Sequence, residues 1–254
     1  MKRCVLSLFL VLSFGVSGDL KTDVQKESYA IGASTGSYVL NQIIRQNKLG
    51  LKTDNSMVIK GFKDAIGGKM DLNDDQIISY LNLRADNLNR LKKQIREKIK
   101  KENLEKGEKY LAKNKSKKGV MQTKSGLQYE ILKKGKGKSV KLESIVLINY
   151  KAKLIDGTVF DDTYKRKSPA HLSMINVIDG LREGLMLMKE GAKYKLTIPS
   201  KLAYKEDGLE NIPPNSVVIF DVELVKVISP GEFQKMMHKK ADVKIKKKDV
   251  KKGK

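Results

Sequence analysis

The sequence predicts an α+β protein: an all-helical front part, one long connecting helix, and an antiparallel sheet wrapped on a single short helix. Three observations predict it. Residues 23–113 contain no proline and carry apolar side chains at three- and four-residue intervals, the helical repeat. Beyond Gly119 the apolar period falls to two, the strand repeat. Among the alternating segments, Leu181 to Met188 has room for one short helix with Leu181, Leu185 and Met188 on the same side.

The chain begins with Lys2 and Arg3 ahead of an apolar run from Val5 to Val16, and Val16-Ser17-Gly18 supplies the small residues a signal peptidase reads. Residues 1–18 therefore read as a secretory signal peptide. At 12 residues the run is well short of the roughly 20 that span a bilayer. Its removal would take away Cys4, the single cysteine, leaving a chain suited to an oxidising compartment.

Residues 19–74 read as a helical domain, with Tyr29, Ala33 and Gly36 to Leu40 on one helix and Val58, Phe62, Ala65 and Ile66 on the next. A third helix, over about residues 75–118, starts sharply. Asn73 and Gln76 have capping-box spacing, and Ile77, Leu81, Leu88, Leu91, Ile95 and Ile99 keep the rhythm. Run to Leu111, it would measure roughly 50 Å at 1.5 Å per residue. Its second half is densely charged with one apolar stripe and reads as a solvated stalk.

Residues 119–229 form the predicted sheet domain. Val146, Ile148, Tyr150, Ala152 and Leu154 alternate with polar or outward positions. Asp156-Gly157 then supplies a hairpin turn before Val159 and Phe160. Tyr194, Leu196 and Ile198, and Val218, Phe220, Val222 and Leu224, repeat the alternation. Residues 230–254 read as a disordered basic tail.

Composition excludes several chemistries. With only Cys4, His171 and His238 and no Trp, there is almost no material for a disulfide framework, a Cys or His metal site, a thiol nucleophile or a catalytic triad. No cofactor is expected. Asp71, Asn73 and Asp75 look like the start of a calcium loop, but Gln76 and Asn82 stand where Gly and Glu are needed. The net charge is +23, and residues 92–118 and 235–254 contribute 16 of it. Such runs are solvated or disordered by default; their functional reading is electrostatic contact with anionic lipid, polysaccharide or nucleic acid. Only Tyr110 and Phe233 accompany them as aromatics, so base recognition is poorly supported and a nucleic-acid binder is the weaker alternative.

Seven ordered blocks carry a resemblance. They are Asn149-Tyr150, Leu154-Ile155-Asp156-Gly157-Thr158-Val159-Phe160-Asp161, Val177-Ile178-Asp179-Gly180-Leu181, Ile198-Pro199, Leu202-Ala203-Tyr204, Ile212-Pro213-Pro214-Asn215 and Phe220-Asp221-Val222-Glu223-Leu224. Together they resemble the FK506-binding-protein (FKBP) peptidyl-prolyl isomerases. Ser28-Tyr29-Ala30-Ile31-Gly32, the Lys60-Gly61-Phe62 helix and Ser125-Gly126-Leu127-Gln128-Tyr129 are similar to the macrophage-infectivity-potentiator group of that family. The resemblance implies an exported bacterial protein of the periplasm or cell surface, dimeric through its N-terminal helices. It also implies action on proline-containing unfolded or exported polypeptides and a site able to take a macrolide such as FK506 or rapamycin.

The implied reaction is cis–trans isomerisation of an X-Pro bond, whose barrier of about 18–20 kcal/mol comes from amide resonance. The twisted amide is less dipolar than either planar form, so a dry apolar cleft that favours it lowers the barrier without acid, base or metal. On matching positions the resemblance gives the cleft walls as Tyr150, Phe160, Val177, Leu181, Ile212 and Phe220. The same matching makes the Ile178 N–H and the Tyr204 hydroxyl donors to substrate carbonyls and puts the Asp161 carboxylate near the rotating amide. Periodicity alone reads Tyr150, Phe160 and Phe220 as core. Arg166 stands where some members pair an arginine with that aspartate. Three positions depart from the family: Leu181 replaces the common Trp floor, Ala170 a frequent aromatic, and Lys205 the Gly after the tyrosine. A smaller floor reduces stacking under a prolyl ring, so lower catalytic efficiency and weaker macrolide binding are expected. The competing reading is a catalytically weak chaperone or surface adhesion module that keeps the fold.

Overall fold

The computed structural model describes residues 20–235, so the expected signal peptide, Cys4 and most of the basic tail lie outside the described residues. The described chain falls into two compact units that part between Lys92 and Lys93. No helix among the described residues is long and apolar enough to cross a membrane.

The first unit holds α1 (Asp23–Lys48), α2 (Asn55–Gly67) and the opening half of α3 (Asp74–Lys115). Each helix starts where a local side chain satisfies its free N–H groups. Thr22 and Gln25 form a capping box at α1. The Asp54 carboxylate accepts from Ser56 and Met57 N–H at α2, and these bonds, the Ser56 hydroxyl first, hold it below the usual carboxylate range. The capping box read at Asn73 and Gln76 is present, with reciprocal bonds of 2.9 and 3.1 Å. Arg84 ties α3 back to the last turn of α1 through Gln46 and to the α1–α2 connection through Thr53, both at 2.7 Å. Ile43 is the single buried apolar residue among the described residues of this unit. Its apolar stripe otherwise lies open, with Phe62, Leu40 and Ile59 45, 49 and 57% exposed.

The second unit is the sheet. Its strands are β1 (Val120–Gln122), β2 (Gln128–Lys133), β3 (Ile145–Leu154), β4 (Val159–Asp162), β5 (Ala170–Ser173), β6 (Lys193–Ile198) and β7 (Val218–Ile228). All pairs are antiparallel in the order β1-β2-β6-β7-β3-β4, and β5 shares the outer edge of β3 with β4. Of the alternating set read from the sequence, Val146, Ile148, Tyr150 and Ala152 are buried, and Leu154 at the strand's end is partly buried against the same core. Asp156 accepts from Thr158 N–H at 2.9 Å and Gly157 takes φ 91°, which closes the expected β3–β4 hairpin. The sequence reading does not reach β1, β2 or β5: three to six residues leave little alternation to see.

The short helix α4 (Asp179–Met186) lies on the inner face of the sheet, burying Leu181 and Leu185. It comes unusually close because Gly180 and Gly184 face β6. A β-carbon on Gly180 would sit 2.2 Å from Ile198 Cγ2, and one on Gly184 2.4 Å from Leu196 Cδ1.

The second half of α3 departs from the expected solvated stalk. Gly107 and Asn114 are buried in it, and a β-carbon on Gly107 would meet Val217 Cγ2 at 2.9 Å. Gln128, Thr197 and Ile219 stand in register across β2, β6 and β7, on the face opposite α4, and all three are buried. There Gln128 donates to Leu111 O and accepts from the Asn114 amide, both at 2.9 Å. Composition hides this because the helix packs through a glycine and amides rather than through a broad apolar face. Most of the lysines remain on its solvent side; Lys100, with a side chain 19% exposed, pairs instead with Glu206 of the sheet unit.

Candidate functional site

All nine residues singled out from the sequence line one open cleft of about 590 Å³ where α4 meets β3, β4, β7 and the loops beside them. Tyr150, Phe160 and Phe220 project from strands, and Leu181 comes from the inward side of α4. Val177 and Ile178 lie just before that helix, while Tyr204 and Ile212 lie on the loop between β6 and β7. The three strand aromatics pack with centroids 5.6 Å apart for Tyr150–Phe220 and 6.0 Å for Phe160–Phe220. Tyr204 meets Phe160 edge-on at 6.4 Å and 89°. Such tilted and edge-on contacts suit aromatic quadrupoles and fix the ring planes.

One polar cluster interrupts the apolar wall. The Asp161 carboxylate accepts from the Tyr150 hydroxyl, from the Arg166 guanidinium and from the Asp162 N–H, so the arginine matched by resemblance does reach its aspartate. Burial raises the Tyr150 phenol above its usual value, and its bond to the Asp161 carboxylate raises it further. Burial does the same at Tyr204. Both phenols are therefore neutral donors throughout the neutral pH range. The Tyr150 backbone is held in turn by buried Thr163, which donates N–H to Tyr150 O at 3.0 Å and accepts Tyr150 N–H on its hydroxyl at 2.8 Å.

Two donors point to a ligand. Among the described residues, neither the Ile178 N–H nor the Tyr204 hydroxyl has a hydrogen-bond acceptor in the protein, although both groups border the cleft. In a hollow walled mainly by apolar side chains, such donors find partners on water or on a bound amide.

Sequence reasoning missed part of the lining and one strut. Leu172, Asn176, Leu209, Glu210 and Asn211 also border the cleft. Arg182 binds Met174 O at 2.8 Å, Val177 O at 3.0 Å and the Asp179 carboxylate at 2.9 Å, pinning the segment that carries Val177 and Ile178. No periodic signal marks these positions: Leu172 lies on a strand of four residues, Arg182 on the polar side of α4, and Asn176 and Leu209 to Asn211 between regular strands. Lys205 sits at φ 55°, which explains why glycine suits that place and identifies the lysine as a strained substitute.

The chain has relatives among known proteins. Residues 136–225 match the family model described as FKBP-type peptidyl-prolyl cis-trans isomerase, and residues 24–131 match the domain amino terminal to it. The chain is 42% identical over 213 residues to the FKBP-type peptidyl-prolyl cis-trans isomerase FkpA of Aeromonas hydrophila, covering 84% of this chain and 80% of that one. It is 41% identical over 207 residues to the FkpA of Escherichia coli strain K12, covering 82% of this chain and 77% of that one. The crystal structure of FkpA from Escherichia coli superposes with a TM-score of 0.72 at 40% identity, covering 83% of this chain and 99% of that one.

Proposed function

This chain belongs to the FKBP-type peptidyl-prolyl cis-trans isomerases, and from that premise we propose that the cleft between α4 and the loop carrying Tyr204 is where it turns X-Pro bonds. The observation that supports this placement most is the pair of unengaged donors, Ile178 N–H and Tyr204 hydroxyl, at the rim of an aromatic hollow. A prolyl ring entering the hollow rests on Leu181 between Tyr150, Phe160 and Phe220. The donors hold carbonyls on either side of it, so that the amide between them turns in a medium poor in water. A planar amide loses more dipolar solvation there than a twisted one, which lowers the barrier. The Asp161 carboxylate, fixed by Arg166 and Tyr150, gives the rotating group one oriented charge. The test is exchange of a proline tetrapeptide, followed by NMR line shape and by acceleration of a proline-limited refolding reaction. A wild-type protein without effect on either refutes the placement.

Leu181 is the element to vary for efficiency. It presents less flat surface to a proline ring than an indole, and we take it to weaken both catalysis and macrolide binding. Leu181→Trp is expected to raise kcat/KM on prolyl peptides about three- to tenfold, a stacking gain of about 1 kcal/mol, and to tighten FK506 binding. Unchanged titration and rate constants would show that the floor residue is not the weakness.

The proposal extends to assembly and place of action. We assign residues 19–74 to a dimer hub, 75–118 to the connecting helix and 119–229 to the isomerase domain. Gly32, Gly36, Val39, Leu40, Ile43, Val58, Ile59 and Phe62 line an apolar groove of about 500 Å³, a surface that a helix of a second copy would cover. Its exposure in a unit with one buried apolar residue among the described residues supports a homodimer. The wild type should sediment at twice the monomer mass, and the Ile59→Asp/Phe62→Asp double variant at the monomer mass. A monomeric wild type removes the hub. Residues 1–18 support export to the periplasm or cell surface of a bacterium, where unfolded exported chains are the clients. The basic residues of the tail support electrostatic contact with anionic surfaces.

A further inference from the structure

We propose that Asn103 of α3 is a positioning residue for the cleft, assisted by Arg96: together they hold the loop whose tip forms the outer wall and so set substrate affinity. The inference rests on the cleft being the site of isomerisation and deepens that reading.

The loop between Tyr204 and Val217 is internally ordered. Gly208 donates to Tyr204 O at 3.0 Å, Leu209 and Ile212 exchange N–H···O bonds of 2.8 and 3.1 Å, and Asn215 donates to Lys205 O at 2.8 Å. These bonds shape a hairpin without fixing it in place. Its tip supplies Leu209, Glu210, Asn211 and Ile212 to the cleft.

What fixes the hairpin is one face of α3. On the side leading out to the tip, Arg96 Nη2 donates to Glu206 O at 3.2 Å and to Asp207 O at 3.1 Å. On the returning side, the Asn103 side-chain amide donates to Pro214 O at 2.8 Å, and Asn215 answers with its own amide on Lys100 O at 3.2 Å. Positions 96, 100, 103 and 107 repeat at four- and three-residue intervals, so they share one helix face, and Gly107 abuts Val217 at its end. Both feet of the hairpin are bonded to this helix face, while the tip overhangs the cleft.

The bonds differ in weight. The Arg96–Asp207 pair is solvated, with side chains 45 and 88% exposed, and ion pairs of that kind contribute little. The Asn103 amide is partly buried against a carbonyl, where the loss of one partner leaves the other unsatisfied. Asn103 is therefore the principal clamp and Arg96 the secondary one.

The experiment uses the full-length chain and four variants. Asn103→Asp keeps the shape but puts an acceptor against the Pro214 carbonyl, Asn103→Ala removes the group, Asn103→Gln keeps a donor, and Arg96→Ala removes the secondary clamp. Two readouts are taken: amide hydrogen exchange at Leu209 and Ile212, and separate KM and kcat on a proline tetrapeptide. Asn103→Asp and Asn103→Ala are expected to speed exchange at both amides and raise KM about fivefold, the loss of one net hydrogen bond, with kcat little changed. Asn103→Gln should recover part of both, and Arg96→Ala should show a smaller change of the same kind. Wild-type exchange and KM in the two Asn103 variants overturn the proposal, as does faster exchange with an unchanged KM. If Asn103→Asp does not fold, Arg96→Ala carries the same two readouts. A wild type without catalysis refutes the isomerisation site, whereas the exchange data still judge the clamp.

Discussion

An Asp161→Ala protein is expected to lose about 10- to 100-fold in kcat/KM on a proline tetrapeptide, about 1.4–2.7 kcal/mol of transition-state stabilisation, while keeping its fold. The carboxylate accepts from the Tyr150 hydroxyl, the Arg166 guanidinium and the Asp162 N–H, so alanine releases three donors at once. Hydrogen bonds to charged groups contribute about 1.5–3 kcal/mol each when buried. Here the Asp161 side chain is 32% exposed, and water replaces part of what is lost. The freed tyrosine hydroxyl borders the cleft, where it would be left to bind water. Asp161→Asn, which keeps an acceptor for Tyr150 but no charge for Arg166, should fall between alanine and wild type. Circular dichroism of all three should coincide. Full activity in Asp161→Ala would mean that the apolar walls alone do the work.

Gly180→Val is expected to destabilise the sheet unit by about 3 kcal/mol or more, since one side chain too large for a packed interior typically costs about 1–3 kcal/mol and this one meets two neighbours. Helix propensity offers little against this, because Gly180 is only the second residue of α4 and valine is itself a modest helix former. Geometry decides. The new β-carbon would lie 2.2 Å from Ile198 Cγ2 and 3.2 Å from Leu202 O, and a helix of eight residues has no second face on which to retreat. The urea midpoint should drop markedly, with catalysis lost in proportion to the unfolded fraction. A midpoint equal to wild type would show that α4 is free to lift from β6.

Much of this site is legible in the amino-acid sequence alone. The period-two alternation puts Tyr150 and Phe220 on inward strand faces, and the blocks around Val177-Ile178 and Leu202-Ala203-Tyr204 carry the family pattern. Periodicity by itself reads the same aromatics as core, and both descriptions hold: Tyr150 and Phe220 are 8 and 3% exposed, yet each borders the cleft. What stays hidden depends on tertiary contact. Arg182 becomes a strut only once the segment before α4 curls over it, and Leu209 to Asn211 reach the cleft only because a hairpin folds across. The seating of the last turns of α3 is illegible for a related reason. Charge density is a property of the whole helix, whereas Gly107, Asn103 and Asn114 act through one narrow strip of it.

The pairing of β3 with β7 joins residues as distant in the chain as Ile145 and Ile228, and β7 also supplies the inner neighbour of β6. Local contacts cannot nucleate such a sheet; its rate-limiting event must close a long loop, which places it among slowly folding, high-contact-order topologies. During synthesis, β3 and β6 wait with open edges until the final strand described here has left the ribosome. Until that strand docks, the unpaired edges are open to other chains, so the yield of refolding should fall as protein concentration rises.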